Sequence, residues 1–297
     1  MNPEVRDLLE ALEGEGYVAD ADIATALFLA RGLRKPLLVE GDAGVGKTEL
    51  AKVLARLLDA ELIRLQCYEG LDVQTALYEW DYPRQMLRLR LAEGRGGSTA
   101  DLESRIFSRE YLLERPLLRA ITHEGRPPVL LIDEIDRADD GFEAFLLELL
   151  SDFQVTIPEI GTIRAREPPH VLLTSNRTRD LGDALRRRCL YLYIEHPSLE
   201  KEVRIIRTRC PDAGARLAHD VGRFLQALRA RPLVKPPGVA ETLDWTRALL
   251  SLRTESLEPE LVTRTLGCLL KDRHDLQAVS PSEVAALVSR LRDEAPP

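Results

Sequence analysis

The stretch Pro36-Leu-Leu-Val-Glu-Gly-Asp-Ala-Gly-Val-Gly-Lys-Thr48 decides the fold. Its first five residues form an apolar run of the kind a buried strand requires. Residues 41–48 match G-x-x-x-x-G-K-[ST], and residues 47–58 have the apolar spacing of an amphipathic helix. Strand, glycine-rich turn and helix in that order make a phosphate cradle. Gly41, Gly44 and Gly46 let the backbone curl so that successive N–H groups face one phosphate, and the helix N-terminus adds the positive end of its dipole. Lys47 then reaches the β- and γ-phosphates, and the Thr48 hydroxyl suits Mg²⁺.

Working outward, three more continuous apolar runs follow at residues 129–132, 171–174 and 190–194. None alternates between apolar and polar, which is the pattern of parallel strands covered on both faces. Helical spacing lies between them, as at 141–153, and a helix is expected over 20–33 ahead of the first strand. Strands alternating with helices predict an α/β fold with a parallel sheet. Beyond His196-Pro197 the strand signals stop. Residues 199–209, 215–230, 240–252, 259–270 and 282–292 all read as helices, and the Pro-rich stretch 231–238 reads as a loop. The chain is therefore expected to divide into an α/β domain over 1–197 and a small helical domain over 198–297. A crossover takes a few tens of residues at most, yet Leu62 to Val129 spans far more, so an insert is expected at roughly 67–97.

Four features bear on chemistry. The run Val129-Leu-Leu-Ile-Asp-Glu-Ile-Asp136 ends a buried strand in adjacent carboxylates, at the strand end where such sheets place ligands. Asp133 is expected to orient the Mg²⁺ shell and Glu134 to polarise the attacking water, while Asp136 caps the following turn. Asn176 closes the next strand, where an amide can hold that water or simply make a turn. The run Asp183-Ala-Leu-Arg-Arg-Arg-Cys189 ends a helix with three arginines. They form either a solvated face near the dipole's negative end or a finger for a neighbouring subunit's γ-phosphate.

Composition sets the outer limits. Of 297 residues, 44% are hydrophobic and 30% charged, which is globular usage. The net charge of −8 argues against non-specific binding to nucleic acid or acidic membranes. Most of it sits in residues 1–30, where seven acids face only Arg6. Cys67, Cys189, Cys210 and Cys268 are far apart and show no metal-ligand spacing, so reduced thiols are expected. With neither a leader pattern nor a run long enough to cross a bilayer, the reading is a soluble cytoplasmic protein.

Together and in this order, the P-loop, the strand ending in Asp133-Glu134, Asn176, the arginine run and the helical lid resemble the AAA+ P-loop NTPases. Three strings are similar to the MoxR family, most of all its CoxD-type subgroup: GLDVQTALYEWDYPRQ from Gly70, VTIPEIGTI from Val155 and DALRRRCLYLYIEHP from Asp183. The first lies in the insert after the P-loop helix, and the second reads as a hairpin before the Asn176 strand. The resemblance implies ATP and ADP binding by Gly41, Asp42, Ala43, Gly44, Val45, Gly46, Lys47, Thr48 and Glu49. It places Mg²⁺ at Thr48 and Asp133, catalysis at Lys47, Glu134 and Asn176, and the finger at Arg187 or Arg186. It also implies a homo-hexamer working with a von Willebrand factor A-domain protein on a protein client. The subgroup's implied client is a molybdenum hydroxylase of the carbon monoxide dehydrogenase type, whose metal centre is matured.

One position departs from the family pattern. Glu241 stands where the lid helix of the family has an arginine, and Arg247 lies nearly two turns on. The insert alternates Tyr78, Trp80 and Tyr82 with acids and continues with Arg84, Arg88 and Arg90. Its aromatics either make a contact loop or pack the insert onto the domain. The other functional readings are a DNA-directed AAA+ motor and a nucleotide-dependent scaffold without turnover.

Overall fold

A computed structural model describes residues 2–93 and 106–293 of the chain. The last four residues of the expected insert, 94–97, lie outside the described residues, as do residue 1 and residues 294–297.

Five strands form one sheet in the order β2-β5-β8-β1-β9. They are β1 (Leu37–Gly41), β2 (Leu62–Gln66), β5 (Val129–Asp133), β8 (His170–Ser175) and β9 (Leu190–Ile194). Parallel ladders join β2 to β5, β5 to β8 and β8 to β1. Every residue of β1 and β5 is buried, which is why both read as unbroken apolar runs. β2 behaves differently: Ile63 and Leu65 are buried while Arg64 and Gln66 are exposed. As an edge strand it has that alternation, and its interrupted apolar pattern does not stand out as a strand in the sequence. Two short antiparallel pairs complete the strands among the described residues. β3 (Tyr78–Trp80) pairs with β4 (Leu112–Glu114), and β6 (Gln154–Ile157) with β7 (Gly161–Arg164), the expected hairpin.

Among the described residues the α-helices are α1 (Pro3–Gly14), α2 (Ala21–Leu33), α3 (Lys47–Leu57), α4 (Val73–Leu77), α5 (Tyr82–Glu93), α6 (Pro116–Thr122), α7 (Asp140–Asp152) and α8 (Asp183–Arg188). They continue as α9 (Leu199–Arg209), α10 (Ala215–Arg229), α11 (Val239–Ser251), α12 (Pro259–Thr265), α13 (Arg273–Ala278) and α14 (Pro281–Asp293). Local signals set several ends. Asp139 caps α7 by accepting from the Phe142 N–H at 2.8 Å, and Ser198 caps α9 by accepting from Lys201 N–H at 3.3 Å.

Contacts group the chain into two units. One comprises Met1–Leu8, Ala21–Glu40 and Thr48–Tyr193; the other comprises Leu9–Asp20, Gly41–Lys47 and Ile194–Pro297. In the first, Leu38, Leu130, Ile132 and Leu173 from the sheet pack with Leu117, Phe142 and Leu146 from helices. In the second, Phe224 and Trp245 lie 5.2 Å apart between ring centres at the middle of a helical core. The indole N–H of Trp245 donates to Thr265 Oγ1 at 2.9 Å, so the buried ring leaves no polar atom unpaired.

Candidate functional site

The glycine loop leads from β1 into α3. Lys47 is buried, and its Nζ donates to the carbonyls of Gly41 and Asp42, both at 2.8 Å. These bonds curl the loop around its own lysine. The Gly44 carbonyl accepts from the first two amides of α11, Val239 at 2.9 Å and Ala240 at 3.3 Å. This approach requires glycine at 238, because a Cβ there would lie 2.7 Å from both Ala43 O and Gly44 Cα. Glu241 accepts from the Gly238 N–H at 2.9 Å and so caps its own helix. Arg247 is half exposed and paired with Asp244 at 3.2 Å. Arg229 belongs to no recognisable motif, yet it sets the geometry here. Its guanidinium grips Glu202 through two bonds of 2.7 Å and donates to Pro237 O, also at 2.7 Å, which anchors the turn before α11. No short motif marks it, since its partner is 27 residues away.

Asp133 ends β5 and is 2% exposed. The Thr48 hydroxyl, at the first turn of α3, reaches its Oδ1 at 3.1 Å and its Oδ2 at 3.3 Å. Thr174 Oγ1, from β8, donates to Oδ1, and Arg64 Nη2, from β2, donates to Oδ2 at 2.6 Å. Glu134 follows in left-handed backbone, with φ 56° and ψ 50°. Its N–H donates to Thr174 Oγ1 at 2.9 Å. Its carboxylate accepts from Gln66 Nε2 at 3.1 Å and pairs with Arg137 Nε at 2.8 Å. Gln66 Oε1 in turn accepts from Arg64 at 2.5 Å. Arg64 and Gln66 lie outside the sequence-derived set because β2 was not read as a strand. Behind them burial, with Asp133 adding to it, pushes the Cys67 thiol up to about 12, which keeps it a neutral packing group.

The segment after β8 is held by Asp136. Its carboxylate accepts from the Asn176 N–H at 3.2 Å, the Thr178 N–H at 2.9 Å and the Thr178 hydroxyl at 2.7 Å. Burial alone would raise the Asp136 pKa, but these bonds, those of Thr178 foremost, bring it below the ordinary carboxylate value. Asp136 thus fixes the backbone that presents Asn176. The three arginines of α8 separate. Arg186 pairs with the buried Glu40 at 2.9 Å and lies over the Tyr191 ring, whose hydroxyl also donates to Glu40 at 2.9 Å. Arg188 donates to Leu147 O at 2.8 Å. Arg187 is exposed and makes no side-chain bond among the described residues. Glu49 faces Lys52 at 3.5 Å and Arg56 at 3.9 Å on the side of α3.

Thr48 and Asp133 supply one hydroxyl and one carboxylate. That sparse all-oxygen set fits Mg²⁺, which takes few protein ligands and completes its shell with substrate phosphates and water. Among the described residues no three His, Cys, Asp or Glu side chains gather into a metal cage. No described helix is long and apolar enough to cross a membrane.

Residues 36–189, just over half of the chain, match the AAA domain family (dynein-related subfamily). An uncharacterized protein of Staphylococcus aureus (strain USA300) is 24% identical over 266 residues, 86% of this chain and 91% of that protein. One from Staphylococcus epidermidis has the same identity and coverage. A Cytophaga hutchinsonii protein of known structure, provisionally assigned as an ATPase, is 14% identical with a TM-score of 0.50. The match covers 99% of this chain and 94% of that one. A point mutant of RuvB from Thermotoga maritima is 18% identical with a TM-score of 0.50, covering 92% of this chain and 74% of that one. At these identities the likeness is one of fold.

Proposed function

Because the chain belongs to the AAA domain family, dynein-related subfamily, we propose that it is an ATP-hydrolysing chaperone of the MoxR type that remodels a protein client. The observation that carries the hydrolytic part is the 3.1 Å contact between the Thr48 hydroxyl and Asp133, with Glu134 next in the chain. In this reading residues 41–49 receive the nucleotide, and the Lys47 ammonium faces the β- and γ-phosphates. Thr48 and Asp133 hold Mg²⁺, which when bound supplies positive charge to the phosphate oxygens. Glu134 accepts a proton from the attacking water, and Asn176 orients that water from the end of the neighbouring parallel strand. Residues 1–197 act as the nucleotide-binding domain and 198–297 as its lid. The three MoxR-like strings and the β6–β7 hairpin support the narrower assignment. With them come a hexamer, a von Willebrand factor A-domain partner and a client of the molybdenum hydroxylase type.

Steady-state turnover and nucleotide binding, measured on two variants, test this. Glu134→Gln keeps ATP binding and loses turnover by about 10²-fold or more, the scale of a lost general base. Lys47→Ala loses nucleotide binding. Wild-type turnover in Glu134→Gln would sink the catalytic assignment. Turnover stimulated by DNA, with salt-sensitive DNA binding, would replace the chaperone by a DNA-directed motor, and ATP binding without turnover would leave a scaffold.

A further inference from the structure

The two oxygens of Asp133 are used unequally. Oδ1 accepts from the hydroxyls of Thr174 and Thr48, both of which fix the carboxylate in the sheet. Oδ2 has only the longer 3.3 Å contact with Thr48, so it is the oxygen left to serve a cation. Arg64 takes it at 2.6 Å. The pair is asymmetric in exposure as well: the Asp133 side chain is 3% exposed and that of Arg64 48%. A buried carboxylate is thus matched by a guanidinium rooted on an edge strand, with solvent on its other side. The same guanidinium also bonds Gln66 Oε1 at 2.5 Å, which holds it in place. Arginine is permanently charged and forked, so at this position it supplies a full positive charge with two directed donors.

We propose that Arg64 is a built-in competitor for the divalent metal: its guanidinium occupies the metal-facing oxygen of Asp133, and Mg²⁺ enters with nucleotide only as Arg64 swings out toward solvent. The proposal rests on the reading of Asp133 as the metal-side carboxylate. Two cations cannot share one carboxylate oxygen without strong mutual repulsion at a separation of a few ångströms, so metal and guanidinium exclude each other. The exchange leaves Asp133 paired throughout. A buried carboxylate with no cation is costly, and Arg64 spares the protein that state before metal arrives. The consequence is a metal affinity set below what Thr48 and Asp133 alone would give.

Mn²⁺ serves as the probe, with free Mn²⁺ read by electron paramagnetic resonance in the presence and absence of ADP. Arg64→Met is expected to tighten Mn²⁺ binding with ADP about tenfold, the weight of a charge-assisted hydrogen bond. Arg64→Lys keeps the charge without the fork and is expected to fall between wild type and Arg64→Met. It also serves if the methionine variant folds poorly, which far-UV circular dichroism will show. Melting in EDTA supplies a second readout: Arg64→Met is destabilised without metal and recovers when Mn²⁺ and ADP are added. Unchanged Mn²⁺ affinity in both variants, with only a lower melting temperature, would mean that Arg64 merely staples β2 to β5 and overturns the proposal. Weaker Mn²⁺ binding would make Arg64 a phosphate ligand and overturn it equally. Asp133→Asn separates the two levels. If it binds Mn²⁺ as wild type does, the assignment of Asp133 to the metal fails, and the proposal with it.

Discussion

Glu134 occupies left-handed backbone that costs a residue with a Cβ roughly 1–2 kcal/mol. The Thr174 hydroxyl holds its N–H there, and β5 cannot continue through it. Glycine at this position would relax the backbone, whereas alanine would keep the strain and lose the carboxylate. Glu134→Gly is therefore expected to be more stable than Glu134→Ala by about 1 kcal/mol, the reverse of the usual order at a strand end. Urea unfolding of the two variants checks this, and a more stable alanine variant would show that no strain is stored. Two histidines set a pH dependence. Burial, with Arg31 adding to it, holds His170 below the ordinary imidazole value of 6.5. Burial and Arg229 do the same for His196, against the opposing pull of Asp42. Below 6.5 the unfolded chain takes up these protons more readily than the folded one. Their contribution is fully present above 6.5 and is lost as pH falls toward the lowered folded values. The melting temperature should drop between pH 7.5 and 5.5, and His170→Gln should flatten that slope. A melting temperature that held or rose over this range would contradict the assignment.

At the scale of elements, the insert is the sharpest case. Trp80 is 7% exposed and sits between Tyr78, 6.1 Å away, and Phe107, 5.4 Å away, both in edge-on packing. Arg84 is occupied by Glu110 and lies over the Tyr111 ring, so neither residue is placed to clamp single-stranded nucleic acid. Trp80→Ala is expected to cost about 3–5 kcal/mol and to lower the melting temperature clearly. A variant that melts like wild type but has lost client-dependent activity would restore Trp80 as a contact residue. Of Tyr78, Trp80 and Tyr82, it is Tyr82, 60% exposed, that faces outward. The alternation Tyr-x-Trp-x-Tyr could not separate these fates, because a three-residue strand and a helix start meet at Asp81. Elsewhere legibility followed burial for β1, β5 and β8, whereas β9 exposes Tyr191 and Tyr193 on one face and reads as an apolar run only because those outward residues are aromatic. β1, β5, β8 and β9 were readable as apolar runs, and the long helices of 199–292 as periodic ones. β2 was not, since Arg64 and Gln66 interrupt its apolar pattern. Thus the P-loop and Asp133-Glu134 were legible from local motifs. Arg64, Gln66, Thr174 and Arg229 act through partners 27 to 69 residues away in sequence, which no local pattern records.

For the whole molecule the open question is whether one chain suffices for turnover. In the proposed reaction, a phosphoryl group held by Lys47 and Mg²⁺ would still leave developing charge in the transition state, and a guanidinium suits that charge. Arg186 is engaged within its own chain by Glu40 and Tyr191, and Arg188 by Leu147. Arg187 is exposed and, unlike Arg186 and Arg188, makes no side-chain bond among the described residues. If it serves a neighbouring subunit, activity per subunit falls on dilution below the assembly concentration, whereas a self-sufficient chain would keep constant specific activity. Arg187→Ala should abolish turnover while leaving nucleotide binding and melting temperature near wild type. Arg186→Ala should instead lower the melting temperature, because it leaves the buried Glu40 without its cation. The decisive measurement mixes Arg187→Ala with Lys47→Ala subunits, each inactive alone. An intact finger then meets an intact P-loop across some interfaces, and part of the activity returns. If subunit exchange is verified by fluorescence transfer and no activity returns, Arg187 does not act across an interface.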